Sequence, residues 1–572
     1  MNIKRAKQEI QDTIEAYLMK DEYGAYVIPP VRQRPVLLIG PPGVGKTQIM
    51  EQISQECRIG LVSYTITHHT RQSAIGLPFI EHRTYGGREY AVTEYTMSEI
   101  VASIYNKIEQ TGLPEGILFI DEINCVSETL APAMLQFLQG KSFGNHKIPR
   151  GWIIVAAGNP PEYNKSVREF DIVTLDRIRR IQVEPDYEVW KEYAQQQEIH
   201  PAIRSYLGVR RQHFCRIETT VDGKLFATPR GWEDLSRLVE VYEKLGKAVD
   251  RELVQEYIQF PKIARDFANY LELYHKYQDD YQVEAVLAGQ VEERVYDKLE
   301  KAPFDERVSV VGLLLSALNQ SFRQVCLMEE MMELRRKLLK EFHEAQGFPD
   351  SLPGLLETWR ADQDKLWDNG MVSRQEHRRI LAVTEKMEQD AQLLRQEGLL
   401  GNGSAAEPHQ EGLLGNGTAA EPHQEGLLGN GTAAEPHQEG LLGNGTAAEP
   451  HQEGLLGNES SAEKPCAGGE YMQQRADAAW DRLRELFGAD SDRYETLIDE
   501  AGMRLEHAFN FMEAAFGGSQ EMVLFVTELN TGFYSVRFLQ QYECQRYYEY
   551  NRNLLFAGEE QEIREGLEAA FR

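Results

Sequence analysis

The sequence predicts an α/β fold built on a parallel sheet, followed by a helical region that a low-complexity tract interrupts. Three observations carry this expectation. Short apolar strands alternate with helical segments from about residue 28 to 185. One of those strands runs directly into a glycine-rich turn and a helix, LLIGPPGVGKTQIMEQ from Leu37. The remainder is helical and charged, except for a fourteen-residue unit repeated almost without change from residue 397.

The elements follow in order. Ile3, Ala6, Ile10, Ile14 and Leu18 share one face of an opening amphipathic helix. The strand candidates are VLLIG at 36, LVSYTIT at 61, ILFIDE at 117, WIIVAAGN at 152 and IRRIQVE at 178. Two stretches break the alternation. Residues 75–95 form two β-rich arms around Tyr85-Gly86-Gly87-Arg88, and residues 139–151 suggest a second hairpin turning at Gly144-Asn145. The pattern becomes helical over 186–290, helical and strongly charged over 291–396, and helical and aromatic-rich over 468–572. The expected divisions are therefore an α/β core at 1–185, a helical lid at 186–290, a charged helical region at 291–396, a disordered repeat linker at 397–467 and a helical C-terminal region at 468–572.

The repeat EGLLGNG[ST]AAEPHQ has two large apolar residues per unit, too few to bury a core. Over 397–458 it holds nine glutamates and no lysine or arginine. Its histidines, His409, His423, His437 and His451, lack neighbouring thiolates and read as passengers of the duplicated unit rather than metal ligands.

Bulk composition narrows the function classes. At 572 residues the chain exceeds a single core. A net charge of −29 repels phosphate backbones at long range and makes broad nucleic-acid binding an unfavoured alternative. The six cysteines contain no C-x-x-C pair, which suggests a reducing compartment and no zinc site. The N-terminus lacks a signal-peptide apolar core and no run of eighteen apolar residues occurs, so the expectation is a soluble cytoplasmic protein with no membrane contact.

The chemistry gathers at three places. The run Gly40-Pro41-Pro42-Gly43-Val44-Gly45-Lys46-Thr47 has the P-loop spacing. Its glycines let successive N–H groups face one concavity, Lys46 reaches the outer phosphates, and the Thr47 hydroxyl can hold Mg²⁺. The strand ILFIDE ends in Asp121 and Glu122; the first suits Mg²⁺ held through water, and the second suits polarisation of an attacking water. The next strand ends in Asn159, placed either to hold that water or to report on the γ-phosphate. No N-K-x-D-like guanine reader is present, so ATP is the expected nucleotide.

Together these motifs resemble the AAA+ ATPases, and within them the MoxR-like group, over about residues 5–290. The resemblance rests on Gly40–Thr47, Ile120-Asp121-Glu122-Ile123-Asn124, Gly151-Trp152 through Ala156-Ala157-Gly158-Asn159-Pro160, Leu175-Asp176-Arg177, and FATPRGWEDL with Arg230. It implies an arginine finger at Arg177 that serves a neighbouring subunit, with Arg179 and Arg180 as nearby alternatives and Ile178 where relatives often carry phenylalanine. Arg230 matches the second sensor arginine on the lid. The resemblance further implies a ring, usually a hexamer, and chaperone-like remodelling of a protein client, often with a partner carrying a von Willebrand factor A domain. The hairpins match inserts that face the pore or a ring surface, which makes Tyr85, Arg88, Lys141, Phe143 and His146 candidates for client contact. The region beyond 290 lies outside the resemblance and could dock a partner. Two alternatives stand beside this reading: a nucleic-acid motor of a related branch, and a nucleotide-gated non-catalytic scaffold.

Overall fold

The computed structural model describes residues 1–68, 71–143, 146–163, 167, 170, 172–221, 223–401 and 467–554, leaving aside the side chains of 68, 71, 73 and 467–470. Most of the repeat with its four histidines, the expected turn at Gly144-Asn145 and the last eighteen residues lie outside the described residues.

The first half contains α1 (Ile3–Leu18), β1 (Val36–Ile39), α2 (Lys46–Cys57), β2 (Gly60–Thr65), α3 (Arg71–Ile75), β3 (Pro78–Tyr85), β4 (Arg88–Tyr95), α4 (Glu99–Thr111), β5 (Gly116–Asp121), α5 (Ala131–Gly140), β6 (Ser142–Phe143), β7 (His146–Lys147), β8 (Trp152–Gly158), α6 (Ile172–Leu175) and β9 (Arg179–Gln182). Five strands form a parallel sheet in the order β2-β5-β8-β1-β9, so β8 lies between the strand before the glycine-rich turn and the strand ending in Asp121. Strand periodicity divides the core between two faces. Val36, Leu38, Phe119 and Val155 pack with Ile10 of α1 and with Met50 and Ile53 of α2. Leu37, Ile39, Leu118 and Ile154 pack against Ile100 and Ile104 of α4 and Phe137 of α5. All seven residues of β8 are buried, as expected of a central strand covered on both sides.

The insert after β2 is an antiparallel hairpin, β3 with β4, in register from Pro78↔Tyr95 to Tyr85↔Arg88. Its turn needs positive φ at two successive residues, which Gly86 (φ 59°) and Gly87 (φ 80°) supply. Its strands belong to no larger sheet, and Phe79, Ile80, Tyr85, Tyr90 and Tyr95 are exposed. The shorter hairpin β6–β7 touches it through a 3.0 Å hydrogen bond between His146 Nε2 and the Tyr95 carbonyl.

Past the sheet the chain forms α7 (Tyr187–Gln196), α8 (Pro201–Val209), β10 (Arg216–Thr220), β11 (Gly223–Ala227), α9 (Pro229–Lys244), α10 (Arg251–Tyr257), α11 (Pro261–Asp280), α12 (Val283–Leu287), α13 (Glu293–Lys301), α14 (Phe304–Glu344), α15 (Leu352–Asp368), α16 (Arg374–Gln396), α17 (Ala467–Phe516), α18 (Gln520–Thr531) and α19 (Phe533–Leu539). The lid is thus not wholly helical. The hairpin β10–β11 interrupts it, and Asp222-Gly223 after a β-branched run is the sequence signal for that turn.

Packing crosses the division expected near residue 290. One core joins Trp232, Phe267 and Leu287 of the lid to Leu314 and Phe322 of α14, Phe509 of α17, Phe525 of α18 and Phe538 of α19. Phe509, Phe511, Phe525 and Phe538 are therefore interior groups, while Tyr548 stays exposed, and α14 is an inner element of this core. Among the described residues α14 is the one helix long and apolar enough to cross a membrane, and half of that apolar window is buried within the protein. A second core sits farther along α14 and contains Leu338, Phe342, Leu356, Met387, Leu394 and Leu483. The early part of α14 meets the late part of α17 in the first core, and the reverse holds in the second, so the two helices run antiparallel. Between the two cores Arg335, 3% exposed, is paired with Asp390 and Asp490.

The chain entering the repeat and the helix that follows it meet on one side chain. Asp350 accepts the Gly401 N–H through one carboxylate oxygen (2.6 Å) and pairs with Arg475 through the other. The chain before the repeat and the helix after it are thus joined through one side chain and share one core. We expect replacement of residues 402–466 by a flexible linker of about twelve residues to preserve the fold. Loop-closure entropy alone would change stability by about 1.5 kcal/mol or less, in the stabilising direction. Helicity and the unfolding midpoint in denaturant check this, and loss of cooperative unfolding would contradict it.

Candidate functional site

The carboxyl ends of β1, β5 and β8 converge on one site. After Ile39 the backbone turns with Gly43 at φ 79° and Gly45 at φ 89°, and α2 begins at Lys46. A side chain at Gly43 is strained by conformation and crowded in space: its Cβ would lie 3.1 Å from Arg230 Cβ. Lys46 is 8% exposed. Its ammonium donates to the carbonyls of Gly40 (2.8 Å) and Pro41 (2.9 Å) and to Asn159 Oδ1 (3.0 Å). Burial strips water from this cation and lowers its pKa to about 8; Asp121 and Glu122 counter the shift and Arg230 adds to it.

Thr47 Oγ1 donates to Asp121 Oδ2 at 3.0 Å. This hydroxyl and carboxylate form a compact set of hard oxygen donors, the chemistry that Mg²⁺ prefers. Asp121 Oδ1 accepts the Glu122 N–H at 2.9 Å. Glu122 has φ 57°, an unfavourable backbone for a residue with a Cβ, and such strain gathers at functional sites. Its carboxylate is oriented by Thr67, whose hydroxyl donates to Oε2 at 3.0 Å.

Asn159 is set by Asn124. The Asn124 amide donates to the Asn159 carbonyl at 2.7 Å, and a Cβ on Gly158 would lie 2.5 Å from Asn124 Oδ1. Thr67 and Asn124 are two positioning groups that sequence reasoning missed. Asn124 stands three residues beyond Asp121 on the same strand exit, which was the available signal. Thr67 reaches the site only because β2 pairs with β5, bringing Thr65 opposite Asp121.

The lid closes the other side. Thr228 caps α9 by accepting the Gly231 N–H (3.2 Å), and Arg230 follows in the first turn, against the P-loop at Gly43. Tyr193 of α7 accepts from Gln48 of α2 (3.0 Å) and donates to Glu233 of α9 (3.3 Å), a direct polar bridge between core and lid. Burial, with the Glu233 charge, pushes the Tyr193 phenol upward and keeps it a neutral donor. Lys224 of β11 donates to the carbonyls of Glu162 and Tyr163, in the loop after Asn159. Beside Gly43 and Gly45 lies a cavity of about 320 Å³, walled by Ile3, Val44, Ile49, Val189 and Phe214, an apolar recess adjoining the phosphate-binding backbone.

Arg177 lies elsewhere. It precedes β9, whose first residue Arg179 pairs with Val36 at the start of β1, while the P-loop follows the end of β1. The strand length of roughly 13 Å therefore separates Arg177 from its own P-loop edge. Its exposed guanidinium donates to Gln139. Arg179 is engaged by Glu9 and Thr13 of α1, and Arg180 is exposed. Two expected contact residues prove not to be exposed, Phe143 buried and Lys141 partly so. Phe143 is 3% exposed and stacks on Phe137 (centroids 3.9 Å apart), and Lys141 lies against Gln33, with burial lowering its pKa to about 8. The hairpin at 139–151 turns these two side chains inward because Phe143 completes the core under α5. Tyr85 and Arg88 are exposed at the longer hairpin's tip.

Comparison with known proteins accords with this geometry. Residues 36–177 match the family described as "ATPase family associated with various cellular activities (AAA)". No curated protein matches the chain. Among solved structures, one described as a "putative ATPase" from Cytophaga hutchinsonii matches at 16% identity and a TM-score of 0.19. The match covers 32% of this chain and 52% of that one, about half its length, and a likeness at this TM-score carries no argument. The family match, which spans the P-loop, both acidic residues and Asn159, identifies residues 36–177 as an AAA-family ATPase domain.

Proposed function

We propose that the chain is a ring-forming, Mg²⁺-dependent ATPase of the MoxR-like kind that remodels a protein client. One observation carries the hydrolytic part: Lys46 and Thr47 from the start of α2, Asp121 and Glu122 from the end of β5 and Asn159 from the end of β8 gather at one sheet edge, with Lys46 bonded to Asn159 and Thr47 to Asp121. Lys46 would leave its carbonyl partners for the β- and γ-phosphate oxygens, a better match for a buried cation. Thr47 and Asp121 would hold Mg²⁺, which neutralises developing phosphate charge when bound. Glu122, held by Thr67, would accept a proton from the attacking water, and Asn159 would orient that water or sense the terminal phosphate.

Ring formation is supported by the position of Arg177. An arginine exposed on the far sheet edge serves no phosphate in its own chain and is free to serve one in a neighbour, and a hexamer is the arrangement the resemblance implies. Arg230, packed on the P-loop from the lid, would report nucleotide state within the same chain. The exposed aromatic hairpin β3–β4 supports a protein client over a nucleic acid, since a surface of net charge −29 disfavours phosphate backbones. A von Willebrand factor A partner belongs to the same proposal and rests on the resemblance.

Two outcomes follow. Glu122→Gln should retain nucleotide binding and lose at least ~100-fold in turnover, the typical contribution of a general base. Mixing Glu122→Gln with Arg177→Ala protein should restore part of the turnover that each lacks. Equal turnover in Glu122→Gln removes the assigned base, and absence of complementation removes the finger.

The second outcome concerns pH. Because the folded pKa of Lys46 lies near 8, below its unfolded value of 10.5, the unfolded chain binds more protons between these values and the nucleotide-free protein gains stability as pH rises through that window. Polyphosphate binding needs the ammonium, so nucleotide affinity should fall about tenfold between pH 7 and pH 9. Titration with a fluorescent ATP analogue measures this, and a flat profile would show that Lys46 stays protonated.

A further inference from the structure

Among the described residues six arginines bury an unpartnered Nε: Arg204, Arg307, Arg323, Arg335, Arg475 and Arg504. Five of them face a carboxylate: Arg307 with Glu521, Arg323 with Glu198, Arg335 with Asp390 and Asp490, Arg475 with Asp350, and Arg504 with Glu284. Arg204 alone has no ion pair and no side-chain hydrogen bond among the described residues. The acids around it are engaged by others, Glu528 by Lys191 (2.6 Å) and Glu243 by His200 and His275. A guanidinium keeps its charge, and Arg204 faces a cavity with Glu528, the acid whose charge acts on it most, already committed to Lys191, so the cation is open to an incoming anion.

Arg204 stands where two cavities join, one of about 1070 Å³ and one of about 540 Å³, and both are lined by Gln195, Pro201, Arg204, Ser316 and Asn319. Its Nε is sealed within the protein, and the residue as a whole is half-buried at the cavity wall. Two amides stand beside it. Gln195 uses its Oε1 to accept the Phe533 N–H (3.0 Å), which leaves its NH₂ as a donor, and Asn319 makes no side-chain hydrogen bond among the described residues. The smaller cavity continues from Arg204 along Val308, Leu315 and Leu524 to a mouth at Val209, Phe304 and Val523. Asp305 and Glu528 also line the smaller cavity, and Glu198, Glu240, Asp279 and Glu284 line the larger, so both repel a multiply charged anion.

We propose that this cavity, between α8, α14 and α18, binds a monocarboxylate bearing an apolar group: the carboxylate on Arg204 and its flanking amides, the apolar part along Leu315 and Leu524. One negative charge matches one unpaired guanidinium, whose planar fork suits a carboxylate's two oxygens. The apolar wall selects what the carboxylate is attached to. The site is separate from the P-loop. The chemistry fits a small organic acid and the C-terminal carboxylate of an apolar peptide alike.

The test is calorimetric titration of the full-length protein with 4-phenylbutyrate, with the tripeptide N-acetyl-Ala-Phe-Leu, and with the uncharged amide of each. At least one acid should bind, its amide at least tenfold more weakly. Binding of the small acid alone, or of the peptide alone, supports the site and identifies its source. The Arg204→Met variant should bind neither acid, and unliganded it should melt at or above the wild-type temperature, because it removes a charge with no partner. Asn319→Leu, which keeps the charge, should weaken binding without abolishing it. Absence of binding by both acids, equal binding of acids and amides, or a melting temperature several degrees lower in unliganded Arg204→Met would overturn the proposal.

Discussion

The buried ammonium of Lys46 is the constraint on which the site depends. It cannot be left without hydrogen-bond acceptors, and the structure supplies them from two strands: the carbonyls of Gly40 and Pro41 beyond β1, and Asn159 beyond β8. To bring them together, β1 and β8 must be neighbours, and the turn between β1 and α2 must fold back on itself. The positive φ angles at Gly43 and Gly45 allow that turn. The same pairing sets Thr47 against Asp121, because β5 is the next strand out. The cation, the hydroxyl and the carboxylate thus form one electrostatic unit held by sheet order.

The lid is joined to this unit at several points with different physics. Arg230 meets Gly43 by close packing, Tyr193 links Gln48 to Glu233 by hydrogen bonds, and Lys224 grips two carbonyls in the loop after Asn159. A change in nucleotide state that moves the P-loop or the Asn159 loop therefore meets resistance from α7, α9 and the β10–β11 hairpin together. The lid in turn shares its core with α14 and α17, so motion there is not confined to residues near the nucleotide.

The long helices add a return contact. At 1.5 Å per residue α14 extends for about 60 Å, and α15 and α16 bring the chain back. The turn between them meets the α/β core through main-chain carbonyls: Gln55 of α2 donates to Gly370, and Lys107 of α4 to Asn369. Gln375 of α16 donates to the Gln196 carbonyl at the end of α7. The C-terminal region is consequently not a separate module on a tether. Its helices pack on the lid and on α14, the α15–α16 turn before it touches the P-loop helix, and Asp350 links Gly401 to Arg475 of α17.

The sequence by itself determined the parts governed by short-range rules. Five strands were legible, β1, β5 and β8 as buried apolar runs and the more exposed β2 and β9 by their place in the alternation, and the P-loop and the Asp121-Glu122 pair because their spacing is local. Tertiary structure decided the rest. Thr67 orients Glu122 only through the β2–β5 pairing, Phe143 turns inward onto Phe137 of α5, and Phe509, Phe525 and Phe538 join the lid core across more than two hundred residues of chain. Whether a charge is paired is likewise a property of neighbours in space. Nothing along the chain distinguishes Arg204 from Arg323, because only the packing of α8 against α14 gives one a carboxylate and leaves the other facing a cavity.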